Sequence, residues 1–162
     1  MKTIPGLLAC AAIAVLPAHA QKECSKSELA AAEKSVERVV NYAGLNKAWK
    51  DYRHCDTGPV EEVFTDAILR LMVEWKNVDT IAYDMQQDAE YKKFIYRHLS
   101  SPAAKDDRHS VFSRAKVSCP LTQGAFCAEL IEVVKDPGKG AKTDLLAPLP
   151  TSAPPAPAPP AK

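Results

Sequence analysis

The chain has almost no net charge to offer a partner: 21 Lys and Arg stand against 20 Asp and Glu in 162 residues. The two signs are interspersed, as on the solvated faces of ordinary helices, so no field of one sign favours nucleic acid or anionic lipid. Glycine is scarce at 6 residues, and no Gly-rich phosphate loop is present. Also missing are a Cys-x-x-Cys pair, an H-E-x-x-H helix, a G-x-S-x-G elbow and a calcium loop of spaced acidic residues. Their absence removes every motif-based reason to name a reaction, and no cofactor is implied. No stretch combines period-two alternation with β-branched enrichment and turn punctuation, which argues against a sheet. No apolar run reaches the roughly 20 residues of a membrane-spanning helix.

The first twenty residues carry an address. Lys2 precedes an apolar run from Leu7 to Leu16, followed by Ala18, His19 and Ala20. A basic start, a short apolar stretch and a small-x-small end read as a secretory signal cut after Ala20. Its removal takes out one basic residue, Lys2, and no acidic one, leaving a formally neutral chain. Leu7-Leu8-Ala9-Cys10 loosely fits a lipid-attachment box, but the apolar stretch continues past Cys10, which disfavours lipid anchoring there. The reading is a periplasmic or secreted protein.

Cys24, Cys55, Cys119 and Cys127 remain after the signal, and four cysteines in an exported domain of this size make two disulfides. Three pairings are possible. The short loop containing Pro120 and Gly124 favours Cys119 with Cys127, leaving Cys24 with Cys55. A zinc site is the competing use of these thiols, and the spacing does not support it.

The rest reads as one all-α domain over residues 21–137, a small bundle of about six or seven short helices. Ser25 and Glu28 form a capping box for a first helix to Ala43, with Leu29, Ala32, Val36, Val39, Val40 and Ala43 on one face and Gly44 as its stop. Leu45, Ala48, Trp49 and Tyr52 mark a shorter helix to about His54. The clearest helix starts at Pro59, with Glu61 and Glu62 in its first turn and a broad stripe from Val60 to Trp75, as expected of a central element. Asp79 is placed as the cap of a helix carrying Ile81, Ala82 and Met85, and Asp88 as the cap of one carrying Tyr91, Phe94, Ile95, His98 and Leu99. Ala103 to Ser118 is more polar, anchored by Val111, Phe112 and Ala115. Ala125 to Lys135 closes the domain before Asp136-Pro137-Gly138. Residues 138–162, with seven prolines in the last sixteen, read as a disordered Pro/Ala-rich tail.

Polar chemistry concentrates at His54, Cys55, Asp56, Thr57 and Gly58, followed by Glu61 and Glu62. These make His54, Asp56, Glu61 and Glu62 the candidate binding residues. A hydrolase reading would use His54, Asp56 and Glu62 as base and acids. The structural reading has a disulfide anchoring the turn, Asp56 or Thr57 capping the next helix, and Gly58 permitting a sharp bend. His98 is expected as a hydrogen-bonded, partly buried histidine, and His109 on a solvated face.

The run Tyr52-Arg53-His54-Cys55-Asp56-Thr57-Gly58 with the Val60–Leu71 helix, Phe94-Ile95-Tyr96-Arg97-His98-Leu99 and Cys119-Pro120 resembles a group of small exported proteobacterial helical proteins. That group carries a Cys-Asp-x-Gly turn with a second Asp where this chain has Thr57. The resemblance implies a periplasmic helical domain and brings no activity or site residue with it. In kind, though not by motif, the chain is similar to periplasmic immunity proteins of type VI secretion effectors. The expectation is a non-enzymatic envelope protein that binds a protein partner, such as an inhibitor or immunity-type factor. The alternatives are the hydrolase and a structural envelope component using the tail as a spacer.

Overall fold

The computed structural model describes residues 22–135, and most of its helices begin where the sequence supplies a cap or a proline. Seven α-helices follow in order: α1 (Lys26–Glu37), α2 (Tyr42–Tyr52), α3 (Pro59–Glu74), α4 (Val78–Gln87), α5 (Ala89–Ser100), α6 (Arg108–Val117) and α7 (Gly124–Lys135). Single 3-10 turns stand at Arg53–Cys55, Pro102–Ala104 and Leu121–Gln123. There is no strand among the described residues, so the class is all-α as the periodicity implied. The leader with Cys10 and the Pro/Ala-rich tail lie outside the described residues. No single helix among the described residues is long and apolar enough to cross a membrane.

At α1 the capping box forms: the Ser25 side chain accepts from the Glu28 N–H, and Glu28 Oε2 accepts from the Ser25 N–H at 3.0 Å. This helix ends at Glu37, six residues before the expected stop at Ala43. Asn41 caps α2 instead, its Oδ1 accepting from the Gly44 N–H at 2.8 Å. A Cβ on Gly44 would sit 3.3 Å from that oxygen, so this glycine serves the start of a helix and not the end of one. The break leaves Val39 buried and Val40 78% exposed, against the expectation that both lie on one apolar face.

Two more boundaries move for local reasons. Asp79 is inside the first turn of α4, whose start is set by Asn77 in the left-handed region at φ 53°. Asp88 does cap α5, accepting from the Glu90 and Tyr91 N–H groups. The polar stretch expected from Ala103 divides into the 3-10 turn Pro102–Ala104 and α6. Arg108 Nη1 pins this division by donating to the Ser100 and Ser101 carbonyls, each at 3.3 Å.

Helix α3 is central, as its wide stripe required. Val60, Phe64, Ala67, Ile68, Leu71 and Met72 are buried, and α3 packs on α1, α2, α5 and α6. Where α2, α3 and α5 meet, Trp49 lies 4.9 Å from Tyr91 between ring centroids, and Phe64 meets Phe94 edge-on at 5.1 Å. Tyr42 donates to the Leu71 carbonyl at 2.9 Å, and burial pushes its hydroxyl well above the ordinary tyrosine range.

Both disulfides form with the favoured pairing, Cys24–Cys55 and Cys119–Cys127. Such bonds belong to oxidising compartments. Cys24–Cys55 ties the residue just before the α1 capping box to the 3-10 turn that carries His54.

Candidate functional site

Gly58 determines how the turn after Cys55 is used. Its backbone at φ 56° and ψ −129° lies in a region restricted essentially to glycine. The chain reverses there into α3, and neither Asp56 nor Thr57 caps that helix, because α3 has no side-chain cap. Asp56 turns inward and is only 8% exposed.

Asp56 Oδ2 meets two residues of α5, the Arg97 guanidinium and His98 Nε2, the latter at 3.1 Å. On the far side of the ring, His98 Nδ1 lies 2.7 Å from the Thr65 hydroxyl of α3. With Nε2 facing a carboxylate, the ring proton belongs on Nε2, and Nδ1 accepts from Thr65. His98 is 1% exposed and stacks edge-on against Phe94 at 4.5 Å. The expected hydrogen-bonded histidine is therefore present, but fully rather than partly buried.

Burial, aided by the nearby Arg97 charge and opposed by Glu61, pushes the His98 pKa from 6.5 down to about 3. The folded protein thus keeps His98 neutral where the unfolded chain takes up a proton, so this contribution is complete above pH 6.5 and declines as pH falls toward 3. We expect stability to drop between pH 6.5 and 5, with a slope approaching about 1.4 kcal/mol per pH unit. Urea unfolding across that range should show the slope, and H98Q should flatten it.

Hydroxyl, imidazole and carboxylate stand in the order of a nucleophilic triad, but Thr65 is 3% exposed within α3 and does not line the neighbouring groove. What the three do is lock α3, α5 and the turn before α3 to one another.

The outer side of this lock is an open groove of about 890 Å³ between α2, the turn at Arg53–Cys55, α5 and the segment before α1, where Lys22 and Glu23 also line it. Trp49 and Phe94 form its floor, and both rings are buried. Arg53 lies over the Trp49 ring at 5.1 Å and Arg97 over Phe94 at 5.9 Å, so two guanidinium groups are oriented on aromatic faces. Lys50 and Lys93 add charge on the α2 and α5 rims; Lys93 is paired with Glu90 at 2.9 Å.

Of the four candidate residues, His54 and Asp56 both line this groove, and Glu61 and Glu62 do not. His54 faces Glu28 of α1 at 3.3 Å, whereas Asp56 is held by α5, so the two are engaged with different partners. Glu28 is held far below the usual carboxylate range by Lys22 and by the Ser25 backbone and hydroxyl, with a further contribution from His54. Glu62 is exposed, and His109 is exposed as expected.

Cys24, His54 and Cys55 bring their ligand atoms within 4.8 Å of one another. Both sulfurs are bonded to each other in the disulfide and do not offer thiolates to a metal.

Neither family models, nor curated proteins, nor solved structures provide a match to this chain. The functional reading therefore rests on the groove and the lock behind it.

Reading residues alone missed Thr65, Arg97, Trp49, Lys50 and Arg53. A signal did exist for the first: Thr65 is a hydroxyl set inside the apolar stripe of α3, and His98 is an imidazole set inside that of α5. Each needs a polar partner if buried, and each is the other's.

Proposed function

We propose that this chain is an exported, non-enzymatic binding protein of the bacterial cell envelope, whose helical scaffold presents the α2–α5 groove to a protein partner, as an inhibitor or immunity-type factor does. The secretory leader and the two disulfides support export. The observation that carries the binding role is the groove itself. Its arginines are pre-set on Trp49 and Phe94, and Arg97 is anchored by a carboxylate that the His98–Thr65 pair holds in turn. Side chains fixed before contact lose less freedom on binding, which is how a small surface gains affinity.

The test is capture of envelope proteins on the oxidised mature domain, compared with the double charge reversal K50E/R53E. Both residues are exposed and lie outside the core, so the fold should survive the change. A stoichiometric partner retained by the native domain and lost by the variant, with unchanged circular dichroism, supports the proposal. Equal capture by both proteins removes the groove from the interface.

A further inference from the structure

The Cys24–Cys55 bond has a neighbour that the other disulfide lacks. His54 brings a ring nitrogen into the same cluster, and the three ligand atoms all lie within 4.8 Å of one another. Among the described residues, no third histidine, cysteine or carboxylate joins Cys119 and Cys127 in this way. His54 Nε2 also lies 3.3 Å from Oε1 of Glu28, a carboxylate that its surroundings keep ionised. With the ring proton on Nε2 and donated to Glu28, the lone pair of the neutral imidazole is on Nδ1. A carboxylate on the far ring nitrogen is the arrangement that orients metal-binding histidines.

While the disulfide stands, the cluster offers a metal no thiolate. Reduction changes that. A thiolate of a dithiol reductant attacks Cys24 Sγ, on the partly exposed side of the bond, and Cys55 leaves as a thiolate. The second thiol of the reductant then releases Cys24, and the reductant departs as its own disulfide. Two electrons have passed to the protein, whose two thiols each give a proton to solvent when they bond a metal. Thiolates on tetrahedral zinc stand about 3.8 Å apart, farther than the sulfurs of a disulfide but inside the span of this cluster. Cys24 can make the room, because it lies outside any helix, directly ahead of the Ser25 cap.

We infer that Cys24, Cys55 and His54 form a zinc site in the reduced protein, with two thiolates and the His54 Nδ1 on the metal and water in the fourth position. Two thiolates and an imidazole suit Zn²⁺ and not the oxygen-seeking Mg²⁺ or Ca²⁺. His54 lines the groove, which gives the ion a route from solvent. The start of α1 is thereby stapled to the turn at Arg53–Cys55 in either redox state, by the covalent bond when oxidised and by the metal when reduced. This inference does not depend on the binding role proposed above.

The test uses C119A/C127A, so that a single cysteine pair is present. The variant is reduced with a dithiol, freed of it by anaerobic gel filtration, and titrated with Zn²⁺ against a chromophoric chelator, with Co²⁺ as a spectroscopic substitute. The expected result is one Zn²⁺ per chain, a Co²⁺ spectrum with thiolate charge-transfer and tetrahedral ligand-field bands, and release of the metal on reoxidation. Adding H54A should weaken binding about tenfold or more, since losing even an orienting partner of a ligand costs that much. Equal Zn²⁺ binding by the oxidised protein would overturn the inference, because the sulfurs would then not be ligands. Equal binding by the H54A protein would also overturn it, leaving a bare pair of thiols such as an unfolded chain offers. Failure of the reduced protein to bind Zn²⁺ would do the same, whether circular dichroism shows its helices kept or lost. Should C119A/C127A fail to fold when oxidised, the native chain and its H54A variant, reduced alike, carry the same comparison.

Discussion

Replacing His98 by alanine should lower the unfolding free energy by about 3–5 kcal/mol, the range expected when a buried hydrogen-bonded group is removed and its partners are stranded. Three losses combine. The imidazole leaves a cavity beside Phe64 and Phe94, whose ring centroids lie 6.1 and 4.5 Å from its own. Asp56 loses the Nε2 donor at 3.1 Å while its other oxygen already has none. Thr65 loses its acceptor, although its hydroxyl can turn to the Glu61 carbonyl at 2.9 Å, which softens this third term. Thr65→Val should therefore cost less, about 1–2 kcal/mol, mainly through the unpaired Nδ1. Denaturant unfolding of the two single variants and the double variant should give a coupling of about 1 kcal/mol or more. Additive effects would mean that the hydroxyl and the imidazole do not act as a pair. A loss below about 1 kcal/mol for H98A would contradict a buried network altogether.

The second large effect concerns the disulfides, which should not be equivalent. Cys24–Cys55 spans 31 residues and Cys119–Cys127 spans 8. Chain-entropy arguments give about 4 kcal/mol for the longer loop and about 2.5 kcal/mol for the shorter. C24A/C55A should thus be the more damaging pair, and thermal melts of the two double variants should rank in that order. It should also reach the groove, because Cys55 is the last residue of the turn that carries Arg53 and His54, and Asp56 follows it directly. C119A/C127A frees the junction between α6 and α7, whose residues do not line the groove. Partner capture should accordingly fall with C24A/C55A and persist with C119A/C127A at temperatures where both remain folded. An inverted stability order would refute the loop-length account. Capture that is indifferent to both would place the binding surface elsewhere.

How much was legible follows from the range over which each signal acts. The central position of α3 could be read directly, because apolar spacing over four turns is a property of consecutive residues. The capping box at Ser25 and Glu28 and the Asp88 cap were equally local. The α1–α2 break was misread because Gly44 can end one helix or begin another, and only the Asn41 side chain, folded back onto the Gly44 N–H, distinguishes the two. Near-zero net charge bears only on the global field. It said nothing of the local one, since the charged residues of the groove come from the segment before α1, α2, the turn after it and α5, brought together only by packing.

Asp56 is the sharpest case. From its neighbours in sequence it was a helix cap or a surface ligand, and in the fold it is the buried centre of a contact with residues 41 and 42 positions away. The sequence by itself determined the helical class, most helix starts and the favoured cysteine pairing, because caps, apolar periodicity and loop length act over a few residues. Tertiary structure alone decided that Asp56, Thr65, Arg97 and His98 form one network, and that its outer face is a charged groove floored by Trp49 and Phe94. The direction of a side chain after the Gly58 turn is set by the packing of α5 on α3, and no local pattern encodes that distance.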